Sequence, residues 1–253
     1  MRLTTIGTGT AAPHPLRVQS GTLVEAGPVR LLVDCGSGVL WRMAQLGLDW
    51  LTITHVAITH FHPDHTLDLV SLLTAWRYGT LPPRSNPVTL VGPVGFNAFI
   101  DRLAAAHDAD LRALVPDLHV VELEPRTPLS LGGDVTIEAC RVPHRPESIA
   151  FSVRAGGRRV VCSGDMALDV PFAEWASGAN ILLLECSLPA AMAVPVHLTP
   201  EECRSIATIA RPGRLVLNHF YPPVERVDIR AIIAEEYGGP VDMAADGSVF
   251  QVT

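Results

Sequence analysis

Four residues able to hold a metal ion fall within six positions of one stretch, Thr59-His60-Phe61-His62-Pro63-Asp64-His65. Neutral imidazole and carboxylate suit zinc, iron or manganese. The stretch follows the apolar run Val56-Ala57-Ile58. It precedes Leu69, Leu72, Leu73 and Trp76, which fall at helical spacing. It therefore sits where a buried strand gives way to a helix, the edge at which open α/β sheets bind ligands. In an extended turn, positions i and i+2 lie on one side, so His60 and His62 can grip one ion. Asp64 and His65, entering the helix, face another way and can grip a second. A lone histidine is usually a core or surface residue, but packing does not explain four such residues in one turn.

Two ions need more ligands, and these should come from other strand ends. His144 follows the strand-like run Val135 to Val142, Asp165 follows Arg158 to Cys162, and His219 follows Leu215 to Leu217. Each stands just past an apolar strand, beside turn-forming residues. A site at one edge of a sheet produces that recurrence.

The elements that must position these residues follow from the pattern. Residues 2–6 predict a first strand, followed by the turn Gly7-Thr8-Gly9-Thr10. Leu23–Glu25 and Arg30–Asp34 predict a hairpin, and Val39 to Leu46 a helix stopped at Gly47. Further on, the pattern predicts strands at 88–91, 119–123, 135–142, 149–153, 158–162, 181–184, 215–217 and 249–252. Helices are predicted at 96–106, from Thr199, and at 226–237. Thr199-Pro200-Glu201-Glu202 is a strong start signal, with a threonine cap, a proline in the first turn and Glu202 placed to close a capping box. The order, strands then helices twice over, predicts an α/β fold. It is read as a four-layer αββα sandwich of two mixed sheets covered by helices, one domain over residues 1–253.

Composition bounds the function. With 48% apolar and 18% charged residues, the chain is a well-buried globular protein. Its net charge of −7 argues against a broad nucleic-acid surface. No run approaches the ~18 apolar residues of a membrane span. The start of the chain reads as a strand rather than a signal peptide. Cys35, Cys140, Cys162, Cys186 and Cys203 are scattered, with no Cys-x-x-Cys pair, as expected of small buried residues in a reducing, cytoplasmic compartment.

The residues His60, His62, Asp64, His65, His144, Asp165 and His219, in that order, resemble the metallo-β-lactamase-fold superfamily of dinuclear hydrolases. Within it the chain is most similar to the ribonuclease Z branch and its arm-less small phosphodiesterases. The opening Leu3 to Thr10, Leu32-Val33-Asp34-Cys35-Gly36, and the pair Glu185 and His197-Leu198-Thr199 carry that likeness. The resemblance implies that His60, His62 and His144 hold one metal, that Asp64, His65 and His219 hold the other, and that Asp165 bridges them. The ions would be zinc, with manganese or iron as alternatives. A water between them, acidified to a pKa of ~7, would attack phosphorus. Asp64, His197 and Glu185 are the catalytic candidates: Asp64 to orient the water, His197 to protonate the leaving alkoxide, and Glu185 to set its tautomer.

Ribonuclease Z proteins of bacterial type carry a tRNA-clamping arm between the third histidine and the bridging aspartate. Here only residues 145–164 lie between them, and they read as a hairpin. The expected substrate is therefore a small or cyclic anionic phosphodiester. Processing of RNA 3′ ends, or hydrolysis of another ester, a sulfate or a lactone, is the alternative; the branch is commonly homodimeric. Asp34 reads first as a strand-end aspartate bonding nearby backbone, with support of a metal ligand as the other reading. Arg145 is a phosphate contact or a solvent-facing arginine. His14 is a candidate substrate contact, and His55, His107 and His119 read as ordinary.

Overall fold

The computed structural model describes residues 1–253. In chain order the first half holds β1 (Arg2–Gly7), β2 (Gly21–Ala26), β3 (Val29–Val33), α1 (Val39–Gln45), β4 (His55–Ala57), α2 (Pro63–Tyr78), β5 (Val88–Gly92), α3 (Phe96–Ala106) and β6 (Leu118–Glu122). The second half holds β7 (Leu129–Gly132), β8 (Val135–Arg141), β9 (Ile149–Ala155), β10 (Arg158–Cys162), α4 (Val170–Trp175), β11 (Ile181–Glu185), α5 (Pro200–Ala210), β12 (Leu215–Asn218), α6 (Ile229–Ala234), β13 (Val241–Met243) and β14 (Val249–Gln251).

The strands form two seven-stranded sheets, ordered β14-β1-β2-β3-β4-β5-β6 and β13-β12-β11-β10-β9-β8-β7. Each begins as an antiparallel meander and continues in parallel, with the change at β3–β4 in one and β10–β11 in the other. The last strand, β14, returns to the first sheet and pairs with β1, Arg2 opposite Gln251.

Alternation along the strands builds the layers. Leu31 and Val33 of β3 face the core between the sheets, while Leu32 faces the first helical layer. Ile181 and Leu183 of β11 face the same inter-sheet core, and Leu182 and Leu184 face the second helical layer. The cores of these strands, Leu31–Val33 and Ile181–Leu184, are apolar because both faces are covered. Leu69, Leu72, Leu73 and Trp76 of α2 are fully buried against the first sheet. At about 1.5–3 kcal/mol for each large side chain, this seam anchors the helix that begins at Pro63. The αββα layering expected from the sequence is thus present.

The pattern misjudges some edges. The helix expected over 226–237 is confined to Ile229–Ala234, because Asp228 caps it, accepting from the Ala231 N–H, and a 3₁₀ turn occupies Val224–Arg226. The edge strands β7 and β13, of four and three residues, and the short helix α4 carry too few periods to be read. No helix is long and apolar enough to cross a membrane.

Candidate metal centre

The seven residues singled out in the sequence converge on one edge of the two sheets. The turn after β4 supplies His60 and His62, and the first turn of α2 supplies Asp64 and His65. His144 comes from the β8–β9 loop, Asp165 from the end of β10 and His219 from the end of β12. Pro63 opens α2 after the extended residue His62, and Asp64 lies in the helix's positive first turn.

They form two groups. Atoms of His60, His62, His144 and Asp165 lie within 4.8 Å of one another, and so do atoms of Asp64, His65, Asp165 and His219. Asp165 belongs to both and divides its oxygens between them. Its Oδ2 is 3.9 Å from His60 Nε2 and 4.0 Å from His144 Nε2. Its Oδ1 is 3.3 Å from both His65 Nε2 and His219 Nε2. Asp64 Oδ2 completes the second group at 3.5 Å from His219 Nε2.

The donor set fits divalent cations. His60 Nε2, His65 Nε2, His219 Nε2 and Asp165 Oδ1 are buried without a hydrogen-bond partner. Each such atom costs about 1–3 kcal/mol when left unpaired, and a cation at each of the two groups would remove that cost. The electrostatics agree. Burial alone would raise the Asp165 carboxyl, but His219, His65 and His60 outweigh it and hold it well below the usual carboxylate range. Burial likewise opposes charge on His65, yet Asp165 and Asp34 raise its pKa well above the ordinary value, marking a point where positive charge is favoured. Burial dominates at His60 and His62 and lowers both, which keeps these imidazoles neutral, the form that ligates metals.

The far nitrogens of the imidazoles are held from behind. Asp34 Oδ2 lies 2.7 Å from His65 Nδ1, and Thr59 Oγ1 lies 3.1 Å from His60 Nδ1. The Val196 carbonyl meets His144 Nδ1 at 2.8 Å, and Ser187 Oγ meets His219 Nδ1 at 3.0 Å. Two of these residues adopt left-handed backbone, Asp34 at φ 59° and His219 at φ 57°. Non-glycine residues enter that region at a cost, and they do so where a side chain must be aimed. Gly164, before Asp165, has φ 60°, and a Cβ there would stand 2.9 Å from Thr59 Cβ.

Glu185 and His197 lie beside the second group. Glu185 is fully buried at the end of β11. It accepts hydrogen bonds from the Met166 N–H and the Ser187 hydroxyl, and its Oε2 is 3.1 Å from His197 Nδ1. Burial lowers the His197 pKa, but the hydrogen bond and charge of Glu185, helped by Asp165 and Asp64, raise it to about 8. His197 leads into α5, where Thr199 and Glu202 form the expected capping box.

Other candidates fall elsewhere. His14 Nε2 is 3.2 Å from Glu225 Oε2, so its ring is engaged away from the two groups. Asp34 bonds nearby backbone, as expected, taking the Thr59 N–H at 2.9 Å, and also supports His65, the other reading. Cys162 and Cys186 are buried beside the site as small apolar residues. Neither Ser187 nor Tyr221 stands out in the amino-acid pattern. The Tyr221 ring is 5.9 Å from His197 and 6.1 Å from His219; only its place two residues past His219 could have marked it.

Comparison with known proteins agrees with this architecture. Residues 1–232 match the family model described as anti-Pycsar protein Apyc1. A ribonuclease Z of Mycobacterium marinum is 31% identical, over 97% of this chain and 96% of its own. The crystal structure of human tRNase Z, short form, superposes with a TM-score of 0.80 at 27% identity, covering 100% of both chains. The metallo-β-lactamase fold protein YhfI of Bacillus subtilis superposes with a TM-score of 0.83 at 24% identity, over 98% of both chains.

Proposed function

The chain belongs to the family of the anti-Pycsar protein Apyc1, in the ribonuclease Z-like branch of the metallo-β-lactamase fold, and is a metal-dependent hydrolase; from that premise we propose that it is a phosphodiesterase acting on a small, anionic phosphodiester. The observation that carries the reading is the division of Asp165 between the two groups, Oδ2 to one and Oδ1 to the other. A carboxylate so placed suits a pair of cations. His60, His62 and His144 would hold one and Asp64, His65 and His219 the other, with Asp165 shared and zinc as the metal.

When bound, such ions act as Lewis acids on a phosphoryl oxygen and acidify a water to a pKa of ~7. The protein's own groups then set orientation and proton traffic. Asp64 can accept a hydrogen bond from the attacking water and aim it. His197 faces Glu185 through Nδ1, which leaves Nε2 to give a proton to the departing alkoxide. Glu185 fixes that tautomer and keeps the ring protonated near neutrality. A dry, buried Glu185 tied by Met166 and Ser187 cannot swing away, so His197 is held in one orientation.

The reading is tested by measuring metal content and turnover of bis(p-nitrophenyl) phosphate together. About two ions per chain and turnover that vanishes in His62→Ala are expected. Turnover unchanged in that variant sinks the mechanism.

A second reading, cleavage of RNA 3′ ends, is favoured by the Mycobacterium marinum relative, a ribonuclease Z. Against it, residues 145–164 between His144 and Asp165 are spent on the β9–β10 hairpin, and the net charge is −7. Salt-sensitive cleavage of precursor tRNA in preference to small diesters would overturn the small-substrate reading.

A further inference from the structure

A groove of about 520 Å³ opens beside His62, between the His60–His65 turn and α3. Its floor is aromatic. Phe61 and Phe99 stack with centroids 4.5 Å apart and planes 7° from parallel, and Phe96 stacks behind at 6.0 Å from Phe61. Phe61 stands between His60 and His62, so the shelf is continuous with the metal centre. Two arginines line the same groove, Arg102 and Arg145. Arg102 lies over the Phe99 ring at 5.8 Å. Arg145 bonds only through its backbone, to Ser148. Neither guanidinium forms an ion pair, although Glu147 lines the same groove.

Both arginines beside the stacked rings are exposed and free of carboxylate partners, so their guanidinium groups are available to an anion that enters the groove. Their chemistry is that of an aromatic anion: a flat ring packs offset on Phe61 and Phe99, and a guanidinium takes a phosphate oxygen. We propose that this groove is a specificity subsite that seats an aromatic ring carried by the phosphodiester, with Arg145 and Arg102 holding the charge beside it. This rests on the phosphodiesterase reading. It makes Phe99, Arg102 and Arg145 specificity residues rather than catalytic ones, and it makes Ala98, exposed on α3 at the groove, the place where a larger side chain would block entry.

The metal-loaded protein is titrated with diphenyl phosphate and with dimethyl phosphate by calorimetry, and turnover of bis(p-nitrophenyl) phosphate is measured in parallel. The wild type should bind the diphenyl ester roughly tenfold more tightly. Ala98→Trp should abolish that preference while leaving dimethyl phosphate binding unchanged. Arg145→Gln should weaken both esters by roughly tenfold. Equal affinities in the wild type, or a preference that survives Ala98→Trp, overturn the groove. Turnover without a ring preference discards the groove and spares the phosphodiesterase reading. A ring preference without turnover discards the reaction and retains the groove as a binding site.

Discussion

Asp34 Oδ2 lies 2.7 Å from His65 Nδ1, while Asp34 Oδ1 takes the Thr59 N–H at 2.9 Å. One carboxylate thus aims an imidazole into the candidate metal centre and pins the turn that carries His60. Asp34→Asn keeps the side-chain shape and tolerates the left-handed backbone, but it removes the charge behind His65. Metal affinity should fall by roughly 10–100-fold with little change in the melting temperature of the metal-free protein. An unchanged metal Kd, measured by chelator competition, would show that the pair only braces the fold.

Asp165 faces both groups of imidazoles, so its removal should not be a local loss. Asp165→Ala is expected to release both ions, whereas His144→Ala should weaken one. Elemental analysis after gel filtration distinguishes them. Retention of two ions per chain by Asp165→Ala would refute a shared carboxylate.

His197 is assigned to protonate the leaving oxygen, and its loss should matter in proportion to the basicity of that oxygen. With an alkoxide leaving group, His197→Ala should lower kcat by about 10²–10⁴-fold. With p-nitrophenolate, which departs without a proton, the loss should be slight. Glu185→Gln should follow the same leaving-group trend more weakly, since Glu185 acts through the ring it orients. Equal losses on both substrates would place His197 in binding instead.

The convergence of the seven residues was legible because its signal is local: four candidate donors share one turn, and the other three each follow an apolar strand by one to three residues. The capping box at Thr199 was equally legible, since Thr199 and Glu202 satisfy each other across three positions. What escaped depends on contacts between distant segments. The strand β13 is three residues on the edge of a sheet and owes its shape to β12. Ser187 becomes a partner of His219 only when β11 and β12 lie side by side. Phe61 stands between two candidate ligands in the sequence, and its stacking on Phe99 exists only because α3 lies against the turn.

Asp246 is another such long-range partner, and it lies beyond residues 1–232 that match the family model. Its side chain is 1% exposed. It accepts from the Thr8 N–H at 3.0 Å, the Thr8 hydroxyl at 2.7 Å and the Val18 N–H at 2.7 Å, so it closes the loop between β1 and β2. Thr8 in turn accepts through its carbonyl from the Phe220 N–H at 3.0 Å, one residue past His219. Asp246→Ala leaves the buried Thr8 N–H and the Val18 N–H without acceptors, at about 1–3 kcal/mol each. The melting temperature should drop by several degrees, and hydrogen exchange should rise across residues 8–20. Because the loop also braces the strand end that carries His219, kcat should fall with the melting temperature well below the transition. Normal exchange at Thr8 and Val18 in this variant would mean that the loop closes without Asp246.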